Sequence, residues 1–166
     1  MLQDLLKISA IYLIAILFTI INLNGANSDN FFAAFLPSFE IMIIYYFCVY
    51  KEDVFGLWFV FFIGFLSDAL VGAPLGISSL IYIIIVKLSN IIAAKQAPKE
   101  DFISIFKEFV IFLNIILILK WLALSIYYKN FYNLTPFIIQ IIISAATYIL
   151  MHRFFEFLSK KLLPQE

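Results

Sequence analysis

Apolar residues arrive in six blocks, at 6–23, 33–50, 54–71, 75–93, 105–126 and 136–157, with short breaks between them. A helix needs about 20 mostly apolar residues to cross the hydrocarbon of a bilayer, and each block approaches that length. The pattern predicts a single domain over residues 1–166 built as an all-α bundle of six transmembrane helices. Polar residues gather in the breaks: "NGANSDN" (24–30), "KED" (51–53), "AKQAPKED" (94–101) and "YYKNFYNLT" (127–135). "VGAPLG" (71–76) separates the third and fourth blocks, and "SKKLLPQE" (159–166) is a basic tail. The second block contains Pro37 and Glu40, and its helix is expected to begin near Pro37, where a proline suits the first turn. The first block has a polar start with Lys7 but no A-x-A cleavage site after it, so it reads as a retained span rather than a signal peptide.

Composition agrees with this pattern. The chain of 166 residues is 64% hydrophobic and 13% charged, with a mean hydropathy of +1.05. A soluble domain of this size would carry far more polar surface. The formal net charge is zero, so no basic excess points to nucleic acid. The 20 phenylalanines and nine tyrosines suit lipid-facing and interfacial positions, because no basic residues interleave with them as a base-stacking surface would require. The single cysteine, Cys48, excludes an internal disulfide or a thiolate cluster and is expected to serve packing.

Lys and Arg distribution sets the orientation. With six spans, one side holds Lys7, Lys51, Lys95, Lys99, Arg153, Lys160 and Lys161, and the opposite side holds Lys129. Both termini are therefore expected in the cytoplasm. Lys87, Lys107 and Glu108 fall within about two turns of that side, where long side chains reach the headgroups. Glu40, Asp68 and Lys120 do not. All three fall in the outer half of the predicted bundle, and a charge at that depth usually faces inward to a partner. Lys120 is expected to pair with Asp68 or Glu40, either to fix helix packing or to form a ligand site.

Catalytic patterns are absent from the sequence. No G-x-S-x-G, H-E-x-x-H or phosphate-binding glycine loop occurs, and no His, Cys and carboxylate cluster has metal spacing. No cofactor is implied, and the chain does not read as an enzyme. His152, the lone histidine, stands beside Arg153 near the cytoplasmic end of the sixth span and reads as interfacial. Gly72 and Gly76 form a G-x-x-x-G, but Pro74 between them makes it a turn rather than a helix-dimer face. Gly72 is suited to the positive φ that ends a helix, Pro74 cannot continue one, and Gly76 lets the next helix start. Asp68, one turn earlier, is placed to accept hydrogen bonds from freed amides or from Ser78 and Ser79.

The segment "GFLSDALVGAPLG" resembles the MreD family of bacterial rod-shape-determining proteins. That family carries a glycine, an acid four residues on, and a G-x-P/T-L-G turn, matched here by Gly64, Asp68 and Gly72, Pro74, Leu75 and Gly76. A proline opens its second span before an aromatic-rich run, as Pro37 precedes "FEIMIIYYF". The motif-bearing part covers residues 35 to about 90, and Glu40 and Lys120 match no family feature. The resemblance implies a non-catalytic inner-membrane subunit of the cell-elongation machinery. Its implied partners are an MreC-type bitopic protein, a RodA-type glycosyltransferase with its transpeptidase, and MreB filaments. It also implies a fold similar to the substrate-binding subunits of energy-coupling-factor vitamin transporters. A small-solute transporter subunit using Glu40, Asp68 and Lys120 is the competing reading.

Overall fold

Helices begin and end where the sequence supplies caps and breakers. The computed structural model describes residues 2–26, 36–50, 55–93, 101–131 and 133–162, and the regular structure among them is helical. The helices are α1 (Leu2–Ala26), α2 (Phe39–Ile44, continued as a π-helix over Tyr45–Tyr50), α3 (Leu57–Val71), α4 (Ile77–Ala93), α5 (Phe102–Tyr128) and α6 (Thr135–Leu162). Asp101 caps α5 by accepting the Ile103 amide at 3.5 Å. Lys129, in the left-handed region at φ 50°, closes the same helix. Asn133 Oδ1 accepts the Thr135 amide at 3.0 Å and so starts α6.

Several boundaries differ from the hydropathy reading. Asn24–Ala26, Tyr127–Tyr128 and Ser159–Leu162 continue helices rather than forming loop or tail, and no proline there interrupts the backbone ladder. Residues 27–35, 51–54 and 94–100, including "KED" and most of "NGANSDN" and "AKQAPKED", lie outside the described residues. Pro37 is not in the first turn of α2. It stands two residues before Phe39, with Ser38 as the N-cap.

Lengths divide the helices into two groups. α5 and α6 have 27 and 28 residues, about 40 Å each, and are long and apolar enough to cross a membrane. α3 and α4 have only 15 and 17 residues. α2 is shorter still, six α-helical residues followed by six π-helical ones.

The packing explains why α2 survives at that length. α1 packs on α3, α3 on α4, α4 on α5, α5 on α6, and α6 back on α1, so five helices close a ring. α2 packs against α1, α4, α5 and α6 and runs down the middle. Every residue from Glu40 to Val49 is buried. A helix that is apolar all round is stable only when covered all round, and the ring supplies that cover.

Aromatic rings fill the space between centre and ring. Tyr45 meets Phe109, Phe112 and Tyr148, while Tyr46 meets His152 and Phe155. The buried Tyr45 hydroxyl donates to the carbonyl of Ile105 at 3.0 Å, so a large ring adds apolar area without stranding its polar tip. Cys48 is buried in this core, its Sγ 4.0 Å from the Phe55 carbonyl oxygen. His152 is likewise a core residue, only 7% exposed, rather than the interfacial one its position beside Arg153 suggested. Its Nδ1 lies 3.3 Å from the Tyr148 hydroxyl, and the rings of Tyr50 and Phe102 close around it. The outside of the ring is apolar too: Trp58 is 87% exposed, and Ile126 and Leu150 project outward.

Candidate functional site

Two polar constellations lie within this apolar bundle. The first is the turn joining α3 and α4. Gly72 ends α3 in the left-handed conformation (φ 72°), and its amide donates to the Asp68 carbonyl, as does the amide of Ala73 at 3.0 Å. Gly76 takes φ 99°, a second value that an L side chain rarely adopts. The chain then reverses into α4, where the Ile77 amide reaches the Pro74 carbonyl at 3.4 Å but other amides at the helix start have no carbonyl one turn back to bond. Asp68 meets that need. Its Oδ2 accepts the amides of Gly76 and Ser78, each at 2.9 Å. The acid therefore bonds backbone amides at the head of α4 and is 2% exposed.

Gly64 belongs to the same device. A Cβ built there would lie 2.5 Å from Cα and N of Ser79 and 2.9 Å from the carbonyl carbon of Ser78. Only glycine lets α3 and α4 approach to this distance. The approach also allows the Ser79 hydroxyl to donate to the Phe61 carbonyl across the interface at 2.9 Å. Pro74 and Leu75 occupy the tip, where Pro74 is half-buried and Leu75 exposed.

The second constellation joins three helices. Glu40, in the first turn of α2 and 4% exposed, accepts the Tyr82 hydroxyl of α4 at 2.6 Å. Lys120 of α5 donates to the same hydroxyl oxygen at 3.2 Å and lies 3.5 Å from Glu40 Oε1. Its ammonium also sits 5.3 Å from the centroid of the Tyr82 ring, within range of the ring's negative face. Of Asp68 and Glu40, the structure places Lys120 against Glu40. Asp68 is engaged with the turn. The Lys120 side chain is 19% exposed, so the pair sits at the edge of the interior rather than at its centre.

Tyr82 is the residue that sequence reasoning passed over. Its signal is a phenol inside "SLIYIIIV", since a hydroxyl in such a run needs a partner. Ser144 of α6 was passed over too. Its Oγ accepts the Ser38 amide at 2.9 Å, satisfying a donor at the buried start of α2. Pro37 contributes its carbonyl to the Phe39 amide at 2.9 Å and so shapes the entry to α2. The two constellations fasten the inner helix and the α3–α4 hairpin to their neighbours. Among the described residues, no three His, Cys, Asp or Glu side chains converge as a metal site would require.

A family model described as rod shape-determining protein MreD matches residues 3–162. Over 101 residues the chain is 33% identical to uncharacterized protein RP566 of Rickettsia prowazekii (strain Madrid E), a stretch that covers 58% of this chain and 54% of that protein. The match thus spans about half the length of that relative. No solved structure matches the chain.

Proposed function

The chain belongs to the rod shape-determining MreD family, and from that premise we propose that it is a non-catalytic membrane subunit of the bacterial cell-elongation complex. In this reading its six helices lie in the cytoplasmic membrane as a single domain with both termini in the cytoplasm. The bundle binds an MreC-type bitopic protein and helps organise peptidoglycan synthesis by a RodA-type glycosyltransferase and its transpeptidase, with MreB filaments on the cytoplasmic face. The family match over residues 3–162 carries the proposal. The seven-to-one distribution of Lys and Arg between alternate breaks supports the orientation.

The polar residues support a scaffold role rather than a solute site. Asp68 is spent on amides of the hairpin, and Glu40 is spent on Tyr82 and Lys120. A solute binder presents several convergent polar groups toward a cavity, whereas these turn toward one another. The fold likeness to energy-coupling-factor substrate-binding subunits stands as part of the proposal; a solute-binding role does not.

Co-purification in mild detergent tests the proposal. A tagged chain is expected to retain an MreC-type partner, and its depletion is expected to turn rods into spheres. Tight binding of a vitamin-sized ligand, with cell shape unchanged on depletion, would overturn it. In complementation of the shape defect, Asp68→Ala is expected to fail where Lys87→Ala, at an exposed position, succeeds. Equal rescue by both would remove Asp68 from the proposed site.

A further inference from the structure

The α3–α4 hairpin is built differently from a water-exposed loop. Between positions 69 and 77 the sequence is "ALVGAPLGI", without one polar side chain. On the proposed topology the other two breaks on that side, "NGANSDN" and 129–134 ("KNFYNL"), carry Asn, Asp, Ser and Lys. Yet the hairpin tip is open to its surroundings. Val71 and Leu75 are 56% and 60% exposed, and Leu80 projects outward beside them.

Its backbone has the opposite character. A turn in water leaves donors to solvent, but here the amides of Gly72, Ala73, Gly76, Ile77, Ser78 and Leu80 all find acceptors within the hairpin. Two of them use the carboxylate of Asp68, a side chain folded back under the tip. Exposed apolar side chains over a turn in which six amides bond internally suit hydrocarbon, because it supplies no hydrogen bonds.

The dimensions agree. α3 and α4 have 15 and 17 residues, which span about 22 and 26 Å against a hydrocarbon thickness of about 30 Å. α5 and α6 reach about 40 Å.

We infer that the α3–α4 tip is a lipid-binding surface held within the outer leaflet: acyl chains cover Val71, Leu75 and Leu80, and the bilayer thins beside this hairpin to meet it. A short apolar element draws the bilayer down in this way when its length falls below the hydrocarbon thickness. The inference rests on the membrane placement proposed above, and it assigns to one face of the bundle an occupant, hydrocarbon, and a local membrane shape.

Single-cysteine variants in a Cys48→Ala background, labelled with an environment-sensitive fluorophore and reconstituted into phosphatidylcholine nanodiscs, test it. Leu75→Cys marks the tip, Asn133→Cys the polar loop, and Ile118→Cys an exposed position within α5. Label at 75 is expected to emit to the blue of label at 133 and to be quenched several-fold more by lipid bearing a nitroxide on its acyl chain. Val71→Cys is expected to behave as Leu75→Cys does. Water-like emission at 75 and 71, with lipid quenching retained at 118, would overturn the inference and leave the membrane placement standing. Water-like emission at 118 as well would overturn the membrane placement on which it rests, and with it the inference.

Discussion

Replacing Gly64 by alanine tests whether backbone contact holds the α3–α4 hairpin. The new Cβ would meet Ser79 Cα and N at 2.5 Å and the Ser78 carbonyl carbon at 2.9 Å. Non-bonded carbon atoms rest at about 3.5–4.0 Å, so the helices would have to part by about 1 Å. No rotamer change relieves this, because every atom struck belongs to the backbone. Overpacking costs about 1–3 kcal/mol by itself. Separation also pulls Asp68 from the amides of Gly76 and Ser78, now both at 2.9 Å. Each hydrogen bond to a charged group contributes about 1.5–3 kcal/mol. The clash with the loss of one such bond gives a destabilisation of about 2.5–6 kcal/mol. At about 2–4 °C per kcal/mol for a chain of this size, the apparent melting temperature in detergent falls by about 5–24 °C. Intrinsic fluorescence of Trp58 and Trp121 during heating reads it out. Adding Ser79→Gly is expected to give no rescue, since Cα and N remain in place. A Gly64→Ala protein melting within about 2 °C of wild type would refute the reasoning.

Gly72→Ala provides the contrast: nothing lies within 4 Å of its Cβ, so only the left-handed backbone resists, at about 1–2 kcal/mol, and the same scan should show a small shift. Glu40→Gln and Lys120→Met should each destabilise by about 3–5 kcal/mol, because each leaves the other charge without its ionic partner. The double variant should lose clearly less than the sum, and additive losses in that cycle would show that the pair does not interact. Ser144→Ala removes the acceptor of the Ser38 amide and should cost about 1–3 kcal/mol, measured as a lowered melting temperature, whereas Ser144→Thr retains the hydroxyl and should recover part of it.

The hairpin was legible in the sequence because it is local. Asp68, Gly72, Pro74 and Gly76 fall within nine residues, and helix-ending chemistry operates over that range. The Glu40–Tyr82–Lys120 constellation was only half legible. Its members are 42 and 38 residues apart along the chain. Hydropathy marks Glu40 and Lys120 as charges needing partners but carries no distance between helices. Tyr82 escaped notice because tyrosine is ordinary in apolar segments, and only its position between two charges makes it a bridge. His152 shows the converse. Its neighbour Arg153 points outward, but successive helical residues face different directions, and His152 turns into the ring.

By itself the sequence determined that the chain is helical, where its apolar blocks break, and that an acid and glycines shape the turn after the third block. These follow from composition and from backbone chemistry within a few residues. Only the tertiary structure decided that the second block is a short helix buried inside the bundle against α1, α4, α5 and α6. Protein interior and lipid are equally apolar, so the same pattern serves a helix facing either one. Which surface covers a segment is a property of the assembled bundle, and so is the choice of Glu40 rather than Asp68 as the partner of Lys120.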